Sequence, residues 1–127
     1  MLADKPVAAT IAVKDLDAAT KFYEGTLGLK RADAQLPDGT LFQTGSSYVF
    51  VYQSQYAGTN QATYVGWAVG DEFDSVVDDL RSRGVSFERY DLPDTTRDGD
   101  VHVMGDLKSV WFKDPDGNIL NIGDQTF

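Results

Sequence analysis

A pattern that returns after 56 residues limits what this chain can fold into more than any other feature. Val13 and Val69, Asp15 and Asp71, and Gly28 and Gly84 are each 56 positions apart. Around both sets the same plan can be read. Pro6 to Val13 is a short apolar run of strand character, and Thr63 to Val69 is its counterpart. An acidic turn follows each run: Asp15 and Asp17 in the first, Gly70-Asp71-Glu72 in the second. Next come apolar residues at helical spacing: Ala19, Phe22, Tyr23, Thr26 and Leu27, then Phe73, Val76, Val77 and Leu80. A glycine ends each helix, because it tolerates the left-handed conformation of a helix terminus. The repeat reads as an internal duplication.

The rest of each half is expected to be strand. Asp15 and Asp71 are placed to cap the helices, their carboxylates accepting from free amides of the first turn. In the first half, strands are expected at Val7–Val13, Lys30–Ala34, Leu41–Thr44 and Tyr48–Gln53, with Pro37-Asp38-Gly39 and Gly45-Ser46-Ser47 as turns. In the second, strands are expected at Thr63–Val69, Val85–Tyr90, Val101–Met104, Ser109–Lys113 and Ile119–Gly123. Leu92–Gly99 reads as a loop, and Asp114-Pro115-Asp116-Gly117-Asn118 as a turn. The polar stretch 54–62 links the halves. The expectation is one α+β domain, 1–127, built from module 1–53 and module 63–127, each β-α-β-β-β.

Composition narrows the function. The net charge of −9 repels a phosphate backbone, so nucleic acid is a poor partner. The same field favours a cationic small molecule or a basic protein surface; otherwise it serves solubility. No cysteine is present, which removes disulfides, thiol nucleophiles and cysteine metal sites. No apolar run approaches the roughly 18 residues of a membrane helix, so no membrane partner is expected. Met1-Leu2-Ala3-Asp4-Lys5 does not read as a secretory signal, and a cytoplasmic location is expected.

With these residues in place the chain resembles the vicinal oxygen chelate superfamily of glyoxalases, extradiol dioxygenases, fosfomycin-resistance enzymes and bleomycin-binding proteins. The resemblance is carried by Val13-Lys14-Asp15-Leu16-Asp17, Phe22-Tyr23, Leu27-Gly28-Leu29, Val69-Gly70-Asp71, Gly84-Val85 and Phe112-Lys113-Asp114-Pro115-Asp116-Gly117-Asn118. It implies two βαβββ modules forming a curved, cup-shaped mixed sheet, helices on the outer face and a homodimer. A ferredoxin-like sandwich, the rival architecture, leaves the extra strand of each half unexplained.

Metal-dependent relatives hold an ion with histidines and glutamates at four inward positions. Carried over by the resemblance, these positions are Ala8, Phe50 (or Val49 or Val51 by a slip of one), Tyr64 and Asn121. Alanine and phenylalanine cannot ligate, neutral tyrosine is a poor ligand near pH 7, and an asparagine carbonyl is a weak one. His102 is the one histidine of the chain, so no metal site and no cofactor are expected. Phe50 and Tyr52, sharing a strand face with Tyr48, and Tyr64 suggest an aromatic wall suited to planar or cationic ligands. Trp111 is placed either in the floor of the cup or against the helices, and Trp67 in the core. His102 sits in the alternating run Asp100–Met104, as a half-exposed strand residue or as a base or donor to a ligand. Asp114 and Asp116 read as turn formers, and Asp94–Asp100 as a flap or a solvated loop.

The expected function is binding or sequestering a small aromatic or cationic molecule without a metal, as in the bleomycin-resistance branch, with its link to antibiotic resistance. Ala8, Phe50, Tyr52, Tyr64, His102, Trp111 and Asn121 are the expected contacts. Two alternatives stand beside it: a glyoxalase- or dioxygenase-type enzyme, and a regulatory or protein-interaction module. Catalytic residues are not assigned.

Overall fold

Strand β1 (Ala8–Val13) sends Ile11 and Val13 to one face and Thr10 to the other, as the two-residue period of a strand requires. The Asp15 carboxylate then accepts from the Ala18 amide at 3.1 Å and caps α1 (Leu16–Thr20). From Lys21 to Thr26 the spiral widens to π-helical geometry, and the Leu27 amide bonds the Phe22 carbonyl five residues back. Gly28, at φ 73°, ends the turn. β2 (Lys30–Leu36), β3 (Gly39–Thr44) and β4 (Ser47–Gln53) follow. The sheet order is β1-β4-β3-β2; β1 and β4 are parallel and the other pairs antiparallel.

This computed structural model describes residues 1–5, 7–36 and 39–126. Pro6 of the first apolar run, and Pro37 and Asp38 of the expected turn, lie outside the described residues. By its contacts the chain divides into two units, Met1–Thr59 and Asn60–Phe127, with the division falling inside the stretch 54–62.

The core of the first unit lies between the helix and one face of its sheet. Ile11, Val13, Phe42, Val49 and Val51 are buried there with Ala19 and Tyr23. The Tyr23 ring meets Phe42 at 6.2 Å and stands edge-on to Phe22 at 5.2 Å. Each such side chain contributes about 1.5–3 kcal/mol by leaving water.

In the second unit β5 (Thr63–Ala68) leads through a 3-10 turn at Gly70–Glu72 into α2 (Phe73–Ser82). The helix buries Phe73, Val77 and Leu80, a stripe at i, i+4 and i+7. Gly84, at φ 89°, ends it. Then come β6 (Phe87–Glu88), β7 (Thr96–Asp98), β8 (Val101–Met104), β9 (Leu107–Lys113) and β10 (Ile119–Gly123). The order is β5-β10-β9-β8-β7, and β6 also pairs with β9. β5 and β10 run parallel. One edge of β9 is shared: β8 takes Leu107–Ser109 and β6 takes Trp111 and Phe112. Val110, Phe112, Leu120 and Ile122 share one face of this sheet and are buried. Trp67, in register with Ile122, belongs to that face and is half-buried.

The α+β class and the paired βαβββ plan are present, with three local corrections. Asp71 does not cap: it sits within the 3-10 turn, and the residue flanking α2 is Glu72, which makes no side-chain cap bond. The strand expected over Val85–Tyr90 shrinks to Phe87–Glu88, because β8 occupies the rest of the β9 edge. The expected loop Leu92–Gly99 contains β7, hairpinned to β8 through Gly99 at φ 62°.

The Asp114–Asn118 segment is a turn, as its residues suggest. Asp114 Oδ1 accepts from the Asp116 and Asn118 amides, both at 2.9 Å, and Oδ2 accepts from Asn118 Nδ2 at 2.8 Å. Among the described residues no helix is long and apolar enough to cross a membrane.

Candidate functional site

Each sheet has a second face, opposite its buried core, and the candidate residues lie mostly there. In the first unit this face carries Tyr48, Phe50 and Tyr52 of β4, flanked in register by Gln43, Leu41 and Gly39 of β3 and by Ala8, Thr10 and Ala12 of β1. Val49 and Val51 are buried on the other side, so Phe50 is the outward residue of the three considered. The Phe50 and Tyr52 rings stack with centroids 5.8 Å apart at 9°. Gly39 makes room for them. A Cβ on it would stand 2.6 Å from the Phe50 ring and 2.5 Å from the Val51 carbonyl oxygen. Ala8, at the start of β1, is exposed.

In the second unit the corresponding face is built around Trp111. It stands in register with Asn121 of β10 and Glu88 of β6. The register of β5 slips by one residue between Ile119 and Leu120. That bulge leaves Tyr64 as the extra residue and brings Thr63 onto the Trp111 side. The indole Nε1–H donates to Thr63 Oγ1 at 3.1 Å, which fixes the ring's orientation.

The chain leaving β6 then crosses behind this ring. Tyr90 stands edge-on to Trp111, centroids 5.8 Å apart at 73°, and His102 does the same at 4.8 Å and 88°. The Tyr90 amide donates to His102 Nε2 at 2.9 Å. A ring nitrogen that accepts carries no hydrogen, so in the neutral imidazole the proton sits on Nδ1. His102 is fully buried. Among the described residues neither its Nδ1 nor the buried Tyr90 hydroxyl has a hydrogen-bond partner. Burial raises the Tyr90 phenol above its ordinary value; the charge of Glu88 adds to this and Lys113 opposes it.

Beside this cluster lies a hollow of ≈ 330 Å³ lined by Tyr90, Leu92, Trp111, Ile119, Thr63 and the Gln61–Ala62 segment. None of these described residues carries a formal charge. The volume sits at the lower end of small-molecule sites, about 300–1,000 Å³. Of the expected contacts, Trp111 lines the hollow and His102 lies directly behind its wall. Tyr64 sits at the bulge, outside the lining. Asn121 is tied to its own sheet: Nδ2 donates to the Val110 carbonyl at 3.1 Å, and Oδ1 lies over Gly66. Phe50, Tyr52 and Ala8 belong to the first unit. The expectation of a half-exposed His102 is corrected, since the Tyr90 segment covers it. Tyr90, Leu92, Thr63 and Ile119 were not foreseen. For Tyr90 and Leu92 the sequence signal is Tyr90-Asp91-Leu92-Pro93, where ring and aliphatic side chains interrupt a polar loop; Thr63 and Ile119 carry none.

The residues do not fit the superfamily's metal. The four carried-over positions offer two poor donors, the Tyr64 hydroxyl and the Asn121 Oδ1, and the Asn121 side chain is held to its own sheet, Nδ2 donating to the Val110 carbonyl and Oδ1 lying over Gly66. Among the described residues no group of three or more His, Cys, Asp or Glu side chains is placed to hold an ion.

Elsewhere in this unit Asp100 accepts from Arg89 Nε and Arg81 Nη2, both at 3.0 Å, tying the hairpin to α2. The Arg89 hydrogen bond holds its carboxyl below the ordinary value against the effect of desolvation, and Arg81 adds to the lowering.

The model of the Glyoxalase/Bleomycin resistance protein/Dioxygenase superfamily matches residues 5–122. No curated protein matches the chain. Among solved structures, a putative glyoxalase family protein from Bacillus anthracis has a TM-score of 0.74 at 15% identity, covering 97% of this chain and 96% of its own. A glyoxalase/bleomycin resistance protein/dioxygenase from Alicyclobacillus acidocaldarius has a TM-score of 0.70 at 23% identity, covering 94% and 90%. A mutant of the fosfomycin resistance protein FosX from Listeria monocytogenes, complexed with Mn(II) and 1S,2S-dihydroxypropylphosphonic acid, has a TM-score of 0.71 at 17% identity, covering 100% and 94%. At these identities the likeness is one of fold.

Proposed function

The chain belongs to the Glyoxalase/Bleomycin resistance protein/Dioxygenase superfamily, and from that premise we propose that it binds a small planar molecule by shape and ring stacking, without a metal ion. The observation that carries this reading is the hollow beside Trp111. Its floor is an indole pinned by Thr63, its wall is Tyr90, and its remaining lining is aliphatic or uncharged. Such a lining offers dispersion contact and aromatic faces rather than charge pairing. The net charge of −9 draws cations toward the surface, so a ring bearing positive charge gains over a neutral one. A cation over an indole face contributes about 0.5–2 kcal/mol. The stacked Phe50–Tyr52 pair is a second aromatic platform, in the first unit.

In this reading the protein sequesters its ligand rather than transforming it, works as a homodimer and resides in the cytoplasm. A role in antibiotic resistance by sequestration follows if the ligand is toxic. The test is a thermal-shift screen of aromatic and cationic metabolites, repeated after chelator treatment and with Trp111→Ala. A specific binder at about a thousand times its dissociation constant raises stability by about 4 kcal/mol. The reading requires that this gain survive the chelator and shrink by at least about 1.4 kcal/mol in the variant. Turnover of a substrate that depends on added metal would defeat it.

A further inference from the structure

We propose that His102 is the positioning residue of the Trp111 hollow: its imidazole accepts the Tyr90 amide while backing the Trp111 ring, and a second proton on it releases the wall. The proposal rests on the hollow being a binding site, and it adds how that site is held and when it opens.

One buried side chain meets both parts of the lining. Nε2 accepts from the Tyr90 backbone at 2.9 Å, and the imidazole lies perpendicular to the Trp111 ring with centroids 4.8 Å apart. Leu92, which also lines the hollow, is two residues along the chain from Tyr90. The contact is conditional on charge. A protonated imidazole has donors at both nitrogens and no acceptor, so Nε2–H would confront the Tyr90 N–H. Among the described residues Nδ1 has no hydrogen-bond partner either. Histidine is the side chain whose charge changes most readily between about pH 5 and 8.

Most ionisable groups on the elements around the imidazole belong to ion pairs; Asp98 on β7 and Lys108 on β9 lie outside these pairs. Arg97, its cross-strand partner on β7, pairs with Asp91 at 3.6 Å. Arg89 pairs with Asp100, and Lys113 on β9 pairs with Glu88 on β6 at 3.1 Å. The Tyr90 phenol stays protonated throughout this range, since burial moves it upward. The imidazole is the group of this cluster whose second proton the Tyr90 contact cannot accommodate.

The test uses the full chain, whose one histidine gives a single imidazole spin system in nitrogen-15 spectra. The expected results are an Nδ1–H tautomer at pH 8 and loss of Tyr90 amide-exchange protection as that imidazole titrates. Binding of N-methylquinolinium should weaken as the pH is lowered, in step with the loss of Tyr90 protection. His102→Gln can accept from Tyr90 but cannot be protonated there. It should keep the binding and lose its pH dependence over this range, which a merely space-filling role would not produce; His102→Leu should weaken binding at every pH. An Nε2–H tautomer, or Tyr90 protection unchanged through the imidazole titration, overturns the proposal even if His102→Gln fails to fold. If the wall opens with acid but the probe binds at no pH, the binding reading itself fails, and the positioning role with it.

Discussion

Replacing Asp114 separates a structural carboxylate from a catalytic one. In the chain it stands beside a second aspartate, and the pair resembles acid–base machinery. In the structure it is 5% exposed and accepts three hydrogen bonds of 2.8–2.9 Å. Two of the donors belong to Asn118, which is fully buried. Asp114→Ala strips the acceptor from both, and each buried donor left unmatched costs about 1–3 kcal/mol. The Asp116 amide is only partly buried and finds water. The expected loss is therefore about 2–6 kcal/mol. Asp114→Asn keeps one acceptor oxygen and turns an amide toward Asn118 Nδ2, so it should lose less, about 1–3 kcal/mol. Urea unfolding monitored by circular dichroism measures both, with the slope checked for two-state behaviour. If Asp114→Ala unfolds within 0.5 kcal/mol of the parent (roughly the scatter of a surface change), the reasoning is wrong. A variant that stays fully stable but loses ligand binding would contradict it more sharply.

Three further outcomes are expected. Gly39→Ala forces a methyl against the Phe50 ring and the Val51 carbonyl; it should destabilise by about 1–3 kcal/mol, and Phe50→Ala in the same chain should recover part of that in denaturant titrations. Asp100→Asn should cost about 1 kcal/mol at pH 7, a modest value because both arginine partners are half-exposed. The folded carboxyl is lowered, so its contribution is present above the unfolded value of 3.8 and is lost as the pH falls through the folded value; acid unfolding curves of parent and variant should converge there. Trp111→Ala should weaken binding of an aromatic probe at least about tenfold, about 1.4 kcal/mol, while Trp67→Phe, on the core face, leaves it unchanged in a calorimetric titration.

What could be read from the chain divides along physical lines. The paired βαβββ plan, the first-module strands and the Asp15 cap follow from local pattern, and the structure contains them. The same reasoning failed at Asp71, where Gly70 at φ 56° lets the chain enter α2 through a 3-10 turn instead. The β7–β8 hairpin carried a legible sign, the Gly99-Asp100 pair between runs able to form strands, which the surrounding charges obscured. The short β6 was not legible, because its length depends on how much of the β9 edge β8 leaves. Nor was the bulge at Tyr64: no glycine or proline marks it, yet it decides that Thr63 rather than Tyr64 reaches Trp111. The candidate site was half visible. Trp111 was identified, but burial of His102 requires Tyr90 to fold across it, a contact between residues 12 apart in sequence.

Binding by the hollow beside Trp111 without a metal is tested most directly by one titration. Chelator-treated protein, labelled with nitrogen-15, is mixed with indole and then with N-methylquinolinium, and the amide and indole resonances are followed. Saturable shifts centred on the Trp111 indole and the Tyr90, Leu92 and Thr63 amides are predicted, stronger for the cation. Shifts that do not saturate, or that emerge only after a divalent ion is restored, would contradict it.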